Sequence, residues 1–269
     1  MFRLYAYAGL FGGNIKCCGP YLSAIQTVSP SNSNVNFLHS SKLKQSLFVS
    51  STWFNSGAEF NVPVEIDSGW EYVTYGSNIK LANPNSASRL ALTGVFYGTG
   101  SHQKAITATK DLASQSGFWV VQPPKNTVVT RGGQVSCGST IRLLSPKENQ
   151  YLHSHSSYES PLSGSQEVCG FSAESTDSND EWLLECVEVS KKKSPQSDSK
   201  TPDHRLFWLR DYPIRLKHKE TGLYLQVMPN KVFTRPIDGQ IEISCAKAPT
   251  AQNGVWTANE GYYFNTARS

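Results

Sequence analysis

The chain has no apolar run approaching the ~18 residues that a membrane-spanning helix needs, so it carries no span of that kind. Charge is scarce: only 17% of the 269 residues are Asp, Glu, Lys or Arg, and the formal net charge is +4. No stripe of Arg and Lys with interleaved aromatics exists, which argues against a nucleic-acid partner. The short basic run Lys191 to Lys193 sits among Ser and Pro and reads as a solvated linker. Equally absent are a nucleophile elbow, a Walker loop, a His-Glu-x-x-His helix and a Rossmann fingerprint. The expectation is therefore no enzyme, no catalytic residue, no cofactor and no metal. There is no Asn-x-Ser/Thr sequon. The first residues, Met1 to Gly13, hold one basic residue and a glycine-diluted apolar run, a poor secretory signal. The final residues, Asn265 to Ser269, do not form an acidic retention address.

What the chain does have is a unit of about sixty residues used three times. Its anchors are Ile79, Leu90, Gln103 and Trp119, then Ile141, Leu152, Gln166 and Trp182, then Ile214, Leu225, Gln240 and Trp256. Ile-to-Leu spacing is 11 and Gln-to-Trp spacing is 16 in every copy; only the middle gap varies, through 13, 14 and 15. Each unit opens on a short alternating strand, Ile79-Lys80-Leu81, Ile141-Arg142-Leu143 or Ile214-Arg215-Leu216, with two aliphatics on one face and a base on the other. A polar turn, a strand around the Leu, a loop ending at the Gln, a third strand and a Trp-bearing fourth strand follow.

Four strands of this length cannot bury an apolar face alone, whereas three such units can share one core. The fold class expected is all-β: a β-trefoil, in which six strands form a barrel and three hairpins cap it. A sandwich is the rival, but it needs no three-fold register. The boundaries expected are an N-terminal extension over 1–70, a trefoil over 71–263 with repeats at about 71–133, 134–205 and 206–263, and a tail over 264–269. The insertion at 189–205 has no period and reads as a surface loop.

The anchors read mostly as core. Leu90, Leu152 and Leu225 are expected to meet near the three-fold axis, with Ile79, Ile141 and Ile214 beside them. Tryptophan is seldom buried completely, so Trp119, Trp182 and Trp256 are expected at the base of each unit, indole N–H hydrogen-bonded. Gln103, Gln166 and Gln240 read as amides that pin a loop to a strand backbone, with ligand binding the alternative.

The clearest polar cluster is Tyr151-Leu152-His153-Ser154-His155. On a strand the two histidines point the same way. A polar strand edge, a ligand site and a metal site all fit the pair, but two histidines alone make a weak metal site and no third ligand has motif-like spacing. The matching positions are Ala91 and Thr93 in the first unit and Gln226 and Met228 in the third. Asp177, Asp180 and Glu181 read as a solvated acidic turn. Cys137 lies four residues before Ile141 and Cys186 four after Trp182. The first and fourth strands of a trefoil unit can lie side by side, which makes Cys137–Cys186 the disulfide candidate and favours an oxidising compartment. Cys169 and Cys245 read as buried free thiols; Cys17 and Cys18 lie outside the repeats.

Several segments resemble the MIR domain. They are Ser136-Cys-Gly-Ser-Thr-Ile-Arg-Leu-Leu144 followed by Tyr151-Leu-His-Ser-His155, Ser160-Pro-Leu-Ser-Gly-Ser-Gln-Glu-Val168 closing with Asp180-Glu-Trp182 and Cys186, and Tyr97-Gly-Thr-Gly-Ser-His-Gln103 and Arg235-Pro-Ile-Asp-Gly-Gln240. Together they look most like the soluble stromal-cell-derived-factor branch. Where that branch usually has Leu-His-Ser-His in its first repeat, this chain has Leu90-Ala91-Leu92-Thr93. The resemblance implies three MIR repeats, residence in the endoplasmic reticulum or secretory pathway, and a non-enzymatic adaptor role in protein folding or O-mannosylation quality control. Partners implied are a J-domain co-chaperone, a luminal Hsp70 or a mannosyltransferase. A carbohydrate-binding module for a glycan or glycopeptide is the second reading, with His153, His155, Tyr158 and Gln166 as contacts. A glycosidase or an accessory domain of a glycosyltransferase is the third, and would need two carboxylates at catalytic separation.

Overall fold

A computed structural model describes residues 68–188, 203–248 and 252–266. The N-terminal extension up to residue 67, Cys17 and Cys18, the basic run and most of the 189–205 insertion lie outside the described residues. Twelve strands occur among the described residues: β1 Asn78–Asn83, β2 Ser88–Phe96, β3 Lys104–Thr109, β4 Phe118–Gln122, β5 Thr140–Ser145, β6 Gln150–Glu159, β7 Gln166–Ser172, β8 Trp182–Cys186, β9 Ile214–His218, β10 Tyr224–Val232, β11 Ile241–Ala246 and β12 Thr257–Tyr262. Among the described residues no helix is long and apolar enough to cross a membrane.

Six strands close a barrel. β1 pairs β4, β4 pairs β5, β5 pairs β8 and β8 pairs β9, all antiparallel. A bridge from Ile214 to Trp256 joins β9 to the start of β12, and β12 returns to β1. Closure removes the open sheet edges that would otherwise template aggregation. The other six strands are hairpins: β2–β3, β6–β7 and β10–β11. Their second strands meet one another, β3 with β7, β7 with β11 and β11 with β3. The protein is thus an all-β closed barrel with three mutually paired hairpins.

The sequence anchors sit at matching places in this pattern. Ile79 faces Trp119, Ile141 faces Trp182 and Ile214 faces Trp256 across paired strands. All nine Ile, Leu and Trp anchors belong to one continuous buried cluster. The tryptophans are buried more deeply than expected, with no exposed surface at all. The reason is that each indole N–H has a backbone acceptor inside the protein: Trp119 donates to Leu90 O at 3.0 Å, Trp182 to Leu152 O at 2.9 Å and Trp256 to Leu225 O at 3.2 Å. A satisfied N–H removes the penalty that normally keeps indole partly wet.

A second set of contacts closes the opposite end. The Val73 amide donates to Trp208 O at 2.9 Å, Trp208 to Val135 O at 2.8 Å, and Val135 to Val73 O at 3.2 Å. These three backbone bonds form a ring, and all three side chains are buried.

The repeated glutamines do something other than pin a loop to backbone. Gln103 Oε1 accepts from Cys169 Sγ at 2.7 Å, Gln166 Nε2 donates to Thr221 Oγ1 at 3.1 Å, and Gln240 Oε1 accepts from Thr107 Oγ1. Each reaches a side chain in the next stretch of the rotation: Gln103 and Gln240 brace neighbouring hairpins against each other, and Gln166 ties its hairpin to the β9–β10 turn. Gln166 also donates to Ser154 Oγ within its own hairpin at 2.7 Å.

Cys137 and Cys186 are disulfide-bonded, with Cα atoms 5.5 Å apart. The bridge ties the end of β8 to the segment leading into β5. Cys169 and Cys245 are free and buried.

Candidate functional site

β6 carries the site. Strand alternation sends Leu152 into the barrel core and sets His153 and His155 on the other face. The hairpin partner β7 places Cys169 directly opposite His153. Phe171, two residues further on, stacks on the His153 ring at 4.6 Å between centroids. His155 meets His153 edge-on at 5.2 Å and Tyr158 edge-on at 4.7 Å.

The loop between β7 and β8 supplies the carboxylates. A short 3₁₀ turn, Ser178–Asp180, is closed by a capping box between Asp177 and Asp180. Asp177 Oδ1 accepts from Asn179 N at 2.8 Å, and Asp180 Oδ2 accepts from Asp177 N at 3.0 Å and Thr176 Oγ1 at 2.7 Å. The other oxygen of Asp180 faces His153 Nδ1 at 2.9 Å. Thr176 Oγ1 in turn accepts from Arg142 Nη1 at 2.9 Å, and that guanidinium lies over the Tyr151 ring.

The acidic turn is therefore not solvated as expected. Asp180 is fully buried and Glu181 is 5% exposed, while Asp177 stays half-exposed. Asp180 tolerates burial because its two oxygens take three donors. A carboxylate can only accept, so His153 donates from Nδ1, and its Nε2 has no hydrogen-bond partner among the described residues.

His218 adds a third imidazole from β9. Its Nδ1 lies 2.9 Å from Thr221 Oγ1 and its Nε2 lies 3.0 Å from Asn179 O. The carbonyl fixes Nε2–H as donor; burial favours the neutral ring, in which Nδ1 accepts from the threonine hydroxyl. Burial lowers the pKa of His218, and the nearby histidines 153 and 155 push the same way. Burial, and next His153, also lower the pKa of His155.

The four residues singled out from sequence separate in this structure. His153 is 2% exposed and sealed behind Phe171, His155 is half-buried at the rim, and Tyr158 is 41% exposed beside it. Gln166 is engaged with Ser154 and Thr221. Asp180, Phe171, Cys169 and His218 complete the cluster but carried no motif spacing, since loop capping and cross-strand register bring them in. The order Cys169, His153, Asp180 mimics a nucleophile, a base and an orienting acid. However, the Cys169 thiol is fully buried, and burial followed by Glu167 raises its pKa well above the usual thiol range. Such a thiol is held protonated and is not an activated nucleophile.

At the matching place in the first hairpin, Ala91 and Thr93 stand where β6 has its histidines. The smaller side chains leave a cavity of about 180 Å³. Thr109, Ser114, Ser116, Ile237 and Gln240 are among its lining residues, and none of its lining residues is charged.

A closed β-barrel capped by three hairpins, one of which carries a buried histidine–carboxylate cluster, defines an all-β module. No protein-family model matches the chain. The chain belongs to the stromal cell-derived factor 2 family. It is 35% identical over 192 residues to stromal cell-derived factor 2 of Homo sapiens, covering 71% of this chain and 82% of the relative. The crystal structure of the SDF2-like protein from Arabidopsis thaliana superposes with a TM-score of 0.63 at 33% identity, covering 72% of this chain and 97% of that one. Part of a protein O-mannosyltransferase complex from S. cerevisiae superposes at a TM-score of 0.60 and 23% identity, over 75% of this chain and 27% of that one, a likeness of fold alone.

Proposed function

We propose that this protein is a non-enzymatic binding and adaptor module of the endoplasmic-reticulum lumen, acting in protein folding or O-mannosylation quality control. In this reading the barrel is a β-trefoil of three MIR repeats, at about 71–133, 134–205 and 206–263. The carrying observation is kinship with stromal cell-derived factor 2 over four fifths of that relative's length. The Cys137–Cys186 bridge supports an oxidising compartment. A J-domain co-chaperone, a luminal Hsp70 or a mannosyltransferase is the expected partner. Affinity purification of the tagged full chain from its native compartment tests this. Stoichiometric recovery of one of those three classes supports the adaptor role, and recovery of none overturns it.

A carbohydrate-binding role is favoured by one further observation, the uncharged cavity rich in hydroxyl and amide groups beside Ala91 and Thr93. The other proposed contacts are Tyr158 and His155 at the rim, with His153 packed against His155, and Gln166. Titration with a methyl mannoside, followed by NMR, separates the two surfaces. Shifts at Thr93 and Ser116 indicate the cavity, shifts at His155 and Tyr158 indicate the rim, and absence of both at millimolar sugar removes this role.

A further inference from the structure

We propose that His153, His155 and Cys169 form a binding site for a thiophilic divalent cation, with Zn²⁺ the best match. One ligand atom from each of these residues lies within 4.8 Å of those of the other two. An ion at the centre of a triangle of that size sits at most about 2.8 Å from every corner, and inward movement of about 0.5–0.8 Å brings the ligands to the ~2.0–2.3 Å of zinc bonds. Two imidazoles and a thiolate are borderline-soft donors that select zinc over calcium or magnesium. Sequence spacing concealed the third ligand, because Cys169 reaches the histidines across the β6–β7 ladder rather than along the chain.

The surroundings are built as metal sites are. Asp180 holds His153 by Nδ1 at 2.9 Å, which orients the ring and leaves Nε2 as the nitrogen that would bind, the carboxylate–histidine–metal arrangement. Asp180 is itself held by Thr176 and by the amide of Asp177. No hydrogen-bond partner is committed to either ring nitrogen of His155 among the described residues, which leaves both free to turn toward an ion. The acidic set His153, Asp177 and Asp180 is also compact. Its histidine nitrogen already donates to Asp180, so that side of the ring is closed to a cation. Cys169 is a thiol without the ion, so binding displaces its proton and its bond to Gln103. His155 sits at the rim, which leaves a fourth position for water. This site is independent of the adaptor reading.

The test uses the full chain carrying Cys17→Ser and Cys18→Ser, so that the two N-terminal thiols cannot contribute, with Co²⁺ as the spectroscopic probe. The expected result is one Co²⁺ per chain with a thiolate-to-cobalt charge-transfer band, displaced by one equivalent of Zn²⁺. Cys169→Ser abolishes the band while Cys245→Ser retains it. His155→Ala, which alters only a rim residue, weakens Co²⁺ binding ~tenfold or more. Thermal unfolding of each variant establishes that it is folded. Absence of the band in the folded parent, its survival in Cys169→Ser, or loss of cobalt binding on Asp177→Asn with full retention in His155→Ala overturns the assignment.

Discussion

The amide of Val73 is hydrogen-bonded to the carbonyl of Trp208, joining the segment that precedes β1 to the one that precedes β9. Val135 completes the ring between them. Backbone atoms alone make these bonds, so they place no demand on residue type, and a valine, a valine and a tryptophan can share one role. At the hairpin end the main-chain pairing of β3, β7 and β11 is joined by side-chain bonds from Gln103, Gln166 and Gln240. The barrel is held at one end by main chain alone and at the other by main chain and amide side chains together.

Leu152→Ala removes core volume from a fully buried position and is expected to cost about 2–5 kcal/mol. Trp182→Phe deletes the donor to Leu152 O and leaves a buried carbonyl unpaired, a loss of about 1–3 kcal/mol beyond its change in volume. Urea unfolding with an unchanged slope measures both.

Joint replacement of Cys137 and Cys186 by serine is expected to lower stability by about 2–5 kcal/mol, since the bridge spans 49 residues. Reductant should produce a similar fall in the unfolding midpoint of the parent. Cys245 is fully enclosed and its pKa is pushed up to about 12, so it should resist alkylation until the protein unfolds. Mass spectrometry of alkylated samples across a urea series reads this directly.

Acid should weaken the fold through His218. Its folded pKa lies below the ordinary histidine value of 6.5, because burial disfavours the charged ring. The unfolded chain therefore takes up the proton first. The contribution of His218 is fully present above about pH 6.5 and is lost as pH falls from there toward the folded pKa. Protonation would also turn Nδ1 from acceptor to donor against Thr221. His218→Gln is expected to be less stable at neutral pH and to lose less on moving from pH 7.5 to 5.5 than the parent does, as measured by urea midpoints.

Gln240 and Thr107 should be energetically coupled. Gln240→Ala and Thr107→Val each break the same side-chain bond between hairpins, so the double variant should lose less than the sum of the singles. A coupling of about 0.5–1.5 kcal/mol is expected from a double-mutant cycle. Strict additivity would show that the amide contributes no brace.

The barrel and its hairpins were legible because the anchors that make them are hydrophobic and fall at fixed spacings. Ile79 and Trp119 announce a strand pair by type and by interval, and the same pair recurs at Ile141 and Ile214. The disulfide was legible for the same reason, since Cys137 and Cys186 flank strands that the repeat sets side by side. The Val73–Val135–Trp208 ring was not, because main-chain bonds leave no residue signature. The glutamines were visible but their partners were not, as each partner belongs to the next unit of the rotation. Asp180 was misread as solvated, because its burial comes from donors in its own turn and from a histidine on another strand. Cys169 looked like an ordinary core thiol until the β6–β7 register set it opposite His153.

One last contact involves the edges of the described region. Thr266 N donates to Gly69 O at 2.8 Å, so the stretch leaving the barrel runs beside the stretch entering it. With the outgoing and incoming strands already neighbours, the cycle of pairings has no privileged starting point. Any of the three arcs could come first along a circularly permuted chain and still meet the same two companions.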